Sequence, residues 1–366
     1  MVRKKTITAR MKTRKKEVLA QIRQLGEGVC KQIDSEVFPA LAMPIRSTRN
    51  IYYDEKYRQY VLGKKKISRS SRNVRHVRPF TQMVWLADLA SQLSGQGRTS
   101  TLRDMYYMAQ AYEVDFHDQA ESDDIITDLE SVIGYAREDF SIYPEERSAI
   151  YGNLTIEYTV PRYEGRKLNL TVHPDGVIIG PALATSEFID TDAEQIICIE
   201  KGAMFTRLLE EQVHKKFKAI IIHTAGQAPR ATRHIIHRLN DELKLPVYVF
   251  CDADPWGMHI AQVIISGSAN AAHLKELTTP DAKWSGVWAS DIVSYKLPAV
   301  TMNELDMKRL KELERDPRYG EKLWRREIDV FTKIQKKAEQ EAFSRYGLTK
   351  IVDDYLPKRL AEMKSY

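Results

Sequence analysis

Cysteine is scarce in this chain: 366 residues contain three, Cys30, Cys198 and Cys251. So few thiols exclude a disulfide framework, and a reducing cytoplasm is the expected location. Long apolar runs are missing too. None approaches the ~18 residues that a membrane span requires, so no membrane partner is expected. The start, Met1-Val2-Arg3-Lys4-Lys5, is charged, with no apolar stretch behind it to make a signal peptide. Apolar content is not lacking. At 43% hydrophobic the chain is not disordered, and its length supports two globular domains, each with a core, plus an extension.

The net charge of +6 hides an asymmetry. Residues 1–75 hold 20 Lys+Arg and 6 Asp+Glu, a net of +14, which leaves 36 basic and 44 acidic residues in 76–366, a net of −8. A basic arm on a slightly acidic body suggests a polyanion such as nucleic acid, or else a solubilising tail. Within the arm, Val18, Leu19, Ile22 and Leu25 hint at a helix. Tyr52, Tyr53, Tyr57 and Tyr60 stand among basic residues, where they can stack on bases or pack on a domain. Lys64-Lys65-Lys66 and the Ser/Arg run to 75 read as a flexible linker or a DNA-facing loop.

The periodicity over 80–93 (Val84, Leu86, Leu89, Ala90, Leu93) predicts a helix ending at Ser94-Gly95-Gln96-Gly97. Thr101 then offers an N-cap, with Asp104 at capping-box spacing, for a helix running to about Tyr112. A third helix starts near Ser122. Three short helices fit a helix-turn-helix or winged-helix module. Residues 113–139 carry ten acidic residues and one arginine, so that stretch should face away from DNA. Strands are expected at 154–160 and 168–172, forming a hairpin around 161–166, and at 177–179. From about 190, apolar strands at 196–199, 219–222 and 247–251 alternate with helices at 203–217, 231–243 and 258–265. This is the pattern of a parallel sheet covered on both faces. Charged amphipathic segments follow near 303–315, 321–345 and 350–364.

Glu200 directly follows one of these strands, and Asp252 and Asp254 follow another. Carboxyl ends of parallel strands line the ligand crevice. Positions i and i+2 on an extended stretch face the same side, so Asp252 and Asp254 can share a metal. Three hard oxygen ligands, with no His or Cys at matching spacing, suit Mg2+ better than zinc. The alternative is a solvated Asp-x-Asp-Pro turn. Gly226 lets the backbone turn at the third strand end. Arg230 and Arg233 open the next helix, where cations oppose the helix dipole, which hints at a bound anion such as DNA phosphate. Solvated arginines after a turn are the plainer reading.

On the helix from Thr101, Leu102, Met105, Tyr106 and Ala109 share one face, and Arg103, Tyr107 and Gln110 another. Tyr106 is therefore expected to pack inward and Tyr107 to be presented, with Arg103 beside it at i−4. A phenol attacking a phosphodiester gives a phosphotyrosine link that conserves bond energy and can be reversed. Two tyrosines on a helix also serve as plain packing.

The run Leu102-Arg103-Asp104-Met105-Tyr106-Tyr107, followed by Cys198-Ile199-Glu200-Lys201-Gly202-Ala203 and Asp252-Ala253-Asp254-Pro255-Trp256-Gly257, resembles the A subunits of DNA topoisomerase VI. These are archaeal type IIB enzymes related to the meiotic double-strand-break transesterase. The likeness covers about 76–366. It implies an α/β multidomain chain: a basic extension (1–75), a winged-helix domain of the catabolite-activator type (76–150), and a Toprim domain with flanking strands and C-terminal helices (151–366). By position, Tyr107 matches the catalytic tyrosine and Arg103 its neighbour. Glu200, Asp252 and Asp254 match the Mg2+-binding triad. The resemblance further implies a homodimer acting on double-stranded DNA at the nucleoid, with a GHKL-type ATPase B subunit in an A2B2 complex. The absence of a G-x-x-x-x-G-K-[ST] motif agrees with ATP being bound elsewhere. The implied reaction is transient double-strand breakage through 5′-phosphotyrosyl links, strand passage and religation. The alternatives are a transesterase that does not reseal, a non-catalytic DNA-binding protein and a hydrolytic nuclease. Trp256 stands where a smaller or differently polar aromatic is expected, which leaves phosphate contacts open but not the triad.

Overall fold

The structure, a computed structural model, describes residues 2–47, 49–145 and 147–365, with side chains from Thr13 onward. Its N-terminal unit begins with α1 (Val2–Asp34), whose Val18, Ile22 and Val29 are buried. Strands β1 (Ala40–Pro44), β2 (Ile51–Asp54), β3 (Gln59–Leu62) and β4 (Lys66–Ser70) follow. β1 pairs antiparallel with β4, and β2 with β3. Then come α2 (Val74–Gln96), β5 (Ser100–Thr101), α3 (Leu102–Ala111), α4 (Gln119–Ile133) and β6 (Ile142–Tyr143). β5 and β6 pair in parallel and tie the start of α3 to the end of the unit. Met83, Leu86 and Ala90 of α2, Met105 and Ala109 of α3, and Ile126 and Leu129 of α4 close one core with α1.

This corrects the picture of residues 1–75 as an appended arm. From Thr13 on they form a helix and two strand pairs packed on the helical unit, because α1 carries apolar residues that α2 buries. The segment 64–75, expected as a flexible linker or loop, instead holds strand β4, a turn and the start of α2. Tyr53 and Tyr60 face each other across the β2–β3 hairpin, ring centroids 6.2 Å apart. Part of the charge asymmetry is settled internally. Arg46 Nε donates to Asp128 Oδ1 at 2.7 Å, Arg69 also pairs with Asp128, and Arg14 Nε donates to Asp139 Oδ1 at 2.6 Å. Three cations of the basic segment thus engage acids of the stretch 113–139.

The second unit contains β7 (Ala149–Tyr151), β8 (Leu154–Glu157), β9 (Lys167–Asn169), β10 (Val177–Ile178), α5 (Pro181–Ala184), β11 (Glu187–Thr191), β12 (Gln195–Ile199), α6 (Gly202–Glu210), α7 (Val213–Lys216), β13 (Ala219–His223), α8 (Arg230–Leu243), β14 (Val247–Phe250), α9 (Pro255–Ser266) and β15 (Lys283–Gly286). Helices α10 (Ala289–Ser294), α11 (Glu304–Arg315), α12 (Lys322–Ile334) and α13 (Leu356–Lys364) complete it. The main sheet runs β10-β7-β13-β12-β14-β15, with β13, β12, β14 and β15 parallel. β7 and β10 are antiparallel additions, so the expected boundary at 150/151 cuts through a strand of this sheet. β8 pairs with β9 as the expected hairpin, and β11 joins them in a smaller sheet. All five residues of β12 are buried, as a central strand covered on both faces requires. The helix expected over 203–217 is broken at Gln212 (φ 52°). The one expected over 321–345 stops at Ile334, turns at Gln335 (φ 49°), and continues as extended chain bridging Ala338 to Ala253.

The two units meet along a polar seam. Arg14 donates four hydrogen bonds of 2.6–2.7 Å, two to Asp139 and two to Glu276. Ala136 packs with Ala271, Leu274 and Leu277. The tip of the β2–β3 hairpin reaches across: Arg58 donates to the Pro280 carbonyl at 2.9 Å, and Thr278 Oγ1 to Gln59 at 3.0 Å. The guanidinium of Arg318 covers the Tyr60 ring at 4.7 Å.

Candidate active site

The expected carboxylates stand at the C-terminal ends of β12 and β14, although the oxygens of Glu200, Asp252 and Asp254 do not all come within 4.8 Å of one another. The backbone N–H of Asp252 donates to Glu200 Oε2 at 3.0 Å, which fixes one strand end to the other. Burial, then the charges of Asp252 and Asp254, push the Glu200 carboxyl up to about 7. Asp252 is 5% exposed; its Oδ1 accepts from the Gln340 backbone N–H at 2.9 Å. Asp254 caps α9: its Oδ1 accepts from the Gly257 N–H at 2.6 Å, and Pro255 follows at the first helical position. Burial raises the Asp254 carboxyl as well. The expected turn at Asp-Ala-Asp-Pro is thus present, and the cap uses one oxygen of Asp254.

Two further acids enter from the segment bridged to Ala253. Asp252, Glu339 and Glu341 offer oxygens within 4.8 Å of one another. Lys201, which follows Glu200, sets its ammonium 3.0 Å from Asp252 Oδ2 and also pairs with Glu339. The donor set is oxygen only and already attracts a cation, which fits a hard divalent ion. Gly257 matters here for space. A Cβ on it would lie 2.2 Å from the Asp252 carbonyl oxygen. At the neighbouring strand end, Gly226 (φ 76°) makes the turn expected of it, and its N–H bonds the Glu200 carbonyl at 3.1 Å.

The tyrosine helix follows its expected polarity. Thr101 caps it, with Oγ1 accepting from the Asp104 N–H at 3.0 Å. The other half of the expected capping box is absent: the Asp104 carboxylate accepts from Ser100 Oγ at 2.8 Å instead. Tyr106 packs on the core of the N-terminal unit, whereas Tyr107 is 53% exposed. The Arg103 guanidinium lies 6.0 Å from the Tyr107 ring centre and 3.9 Å from Glu145. Tyr107, and then Glu145, hold Arg103 above its usual pKa. Among the described residues, no hydrogen bond, ion pair or ring contact joins Tyr107 or Arg103 to Glu200, Asp252 or Asp254 of the same chain.

Arg230 and Arg233 are not where a DNA groove would need them. Arg230 Nη1 donates to Oε2 of the fully buried Glu130 of α4 at 3.0 Å, and its Nη2 forms an ion pair with Oε1 at 2.8 Å, alongside Arg137 of the same unit and His273. Arg233 is 6% exposed and pushed down to about 10, first by burial and then by Arg230. Both belong to the seam, so the expectation that they face DNA is corrected. The anion that Arg230 finds at the start of α8 is a protein carboxylate 100 residues upstream.

Sequence reasoning missed Glu339 and Glu341 and gave Lys201 no role. Nothing local marks the two glutamates, which lie within a stretch read as helix. Lys201 carried a usable signal, because a lysine at a helix N-terminus opposes the dipole, as the two arginines do.

Two family models match the chain. That of the Toprim domain of the topoisomerase 6 A subunit and Spo11 covers residues 195–360, and that of type IIB DNA topoisomerase covers residues 78–142. Relatives that bear the name of the A subunit of type 2 DNA topoisomerase 6 include three archaeal proteins. The protein of Methanothermobacter thermautotrophicus is 43% identical over 354 residues, 96% of this chain and 99% of the relative. That of Halobacterium salinarum is 39% identical over 354 residues, 95% and 96% of the two chains. That of Archaeoglobus fulgidus is 35% identical over 362 residues, 96% and 99%.

Proposed function

Because the chain belongs to the family of A subunits of type 2 DNA topoisomerase 6, we propose that it is the DNA-cleaving component of a type IIB topoisomerase. Tyr107 Oη attacks a phosphorus of the DNA backbone, the O3′–P bond breaks, and a 5′-phosphotyrosyl link forms. The phenol proton leaves to solvent, and the departing 3′ oxygen takes up a proton. The reverse attack reseals the strand. The observation that carries this reading is the half-exposed Tyr107 beside Arg103 on a rigidly capped helix. Arg103 brings positive charge to the place where the phosphate arrives.

Glu200, Asp252 and Asp254 hold the metal, read as Mg2+, which neutralises phosphate charge when bound. Glu200 and Asp252 are fixed to each other through the backbone, and Asp254 is fixed by its cap. We also infer a homodimer in which each tyrosine meets the partner's acids, in keeping with the lack of any direct contact between Tyr107 and the carboxylates among the described residues. The N-terminal helices with the β5–β6 pair support the winged-helix reading. We further infer double-stranded DNA as substrate, an A2B2 complex with a B subunit of the GHKL ATPase type, and a cytoplasmic, nucleoid-associated location.

The test is mass spectrometry of the adduct trapped on supercoiled DNA with the B subunit, Mg2+ and ATP. Tyr107→Phe is expected to abolish the adduct and relaxation, while Tyr106→Phe keeps both. An adduct that survives Tyr107→Phe sinks the assignment. Covalent breaks without relaxation in the wild-type protein would favour the non-resealing relative.

A further inference from the structure

The side chain of Lys201 is out of place by local rules. It sits at the N-cap of α6, where the helix dipole disfavours a cation, and it makes no cap hydrogen bond. It is held there by acids from two distant elements, Asp252 after β14 and Glu339 after the Ala338 bridge. Asp252 is therefore committed on both oxygens, to the Gln340 N–H through Oδ1 and to Lys201 through Oδ2. A metal that takes Asp252 as a ligand meets an ammonium already on that carboxylate.

We propose that Lys201 is an exchangeable internal counter-cation of the carboxylate cluster, which stands on Asp252 in the metal-free protein and yields that oxygen when a divalent ion enters. This rests on the reading of Glu200, Asp252 and Asp254 as metal ligands, and it adds a positioning residue to that site. Without a resident cation, three strand-end carboxylates together with Glu339 and Glu341 would repel one another. Lys201 keeps them assembled and draws in the 339–341 segment. The same charge opposes the arriving ion, so it sets the concentration at which the metal wins. Glu339 is the acid to which the displaced ammonium can stay attached, since it is more exposed than Asp252 and already pairs with Lys201.

The experiment measures Mn2+ binding to the full-length chain without DNA, by titration calorimetry or by paramagnetic resonance of the free ion. Removing one positive charge within contact distance of a ligand is expected to tighten Mn2+ binding of Lys201→Met by about tenfold or more. Lys201→Arg is expected to stay near wild type, because the charge remains. A purely structural lysine gives the opposite sign, since its loss loosens the site and weakens binding. In parallel, amine-reactive labelling read by mass spectrometry should find Lys201 slower than other exposed lysines without metal and faster once Mn2+ is added. Equal or weaker Mn2+ binding by Lys201→Met, with a wild-type melting curve, overturns the proposal. If neither protein binds Mn2+ but both fold, the metal-site reading itself is what fails.

Discussion

Gly257 shows how narrowly the carboxylates are placed. Its N–H holds Asp254, and its missing side chain lets the first turn of α9 rest on the Asp252 carbonyl. Gly257→Ala puts a methyl 2.2 Å from that oxygen, which the backbone relieves only by moving Asp252 away from Asp254. The expected outcome is a loss of about 1–3 kcal/mol in chemical denaturation, with Mn2+ binding weakened beyond what the stability loss explains. At this scale the positions of Glu200, Asp252 and Asp254 at strand ends and of Tyr107 on the outer face of its helix were legible in the sequence, because apolar strand runs and helical spacing fix where such side chains stand. Arg230 and Arg233 were legible only as anomalies. What an unfavourably placed cation binds is decided by a partner far off in sequence, here Glu130, and no local pattern names that partner.

Element by element, legibility follows the range of the stabilising contacts. Strands β12, β13 and β14 were found to within one or two residues because burial on both faces leaves continuous apolar runs. The tyrosine helix was found through its cap. The β1–β4 pair was missed: 21 residues separate its strands, and β4 is Lys66-Ile67-Ser68-Arg69-Ser70, with little apolar alternation. The stop of α12 at Gln335 was missed because no glycine marks its positive φ. Helix α9 offers a test of its own packing. Burial, then Arg318 and Arg309, push His259 on this helix down to about 4. An unfolded histidine binds its proton near 6.5, so between those values the unfolded chain holds more protons than the native one. The stabilising effect of a neutral His259 is therefore complete above about 6.5 and is lost as pH falls toward 4. His259→Gln should flatten that limb of the stability–pH curve, by on the order of 2 kcal/mol between pH 7 and 4. Melting curves of both proteins across that range give the measurement, and parallel curves would assign the acid limb to other groups.

For the whole molecule, the seam between the units was not legible in the sequence. Burial alone would raise the Glu130 carboxyl, but Arg230 and Arg137 outweigh it and hold the group well below the usual carboxylate range. Glu130→Ala strands those cations and is expected to cost about 3–5 kcal/mol. Denaturant unfolding should then split from one transition into two as the units come apart. A single transition with unchanged midpoint would show that Glu130 does not couple them. Arg230→Ala combined with Glu130→Ala should cost less than the sum of the single changes. The same seam has a consequence for biosynthesis. Arg14 leaves the ribosome early, yet its acceptors Asp139 and Glu276 lie 125 and 262 residues later in the chain. The helical unit can close its own core while translation continues, but the four-bond clamp of Arg14 and the cations from Arg230 and His273 arrive only with the far end of the sheet. A chain that stops short of Glu276 lacks half of the Arg14 clamp, so the seam makes the placement of the Tyr107 helix against the second unit conditional on a nearly finished polypeptide.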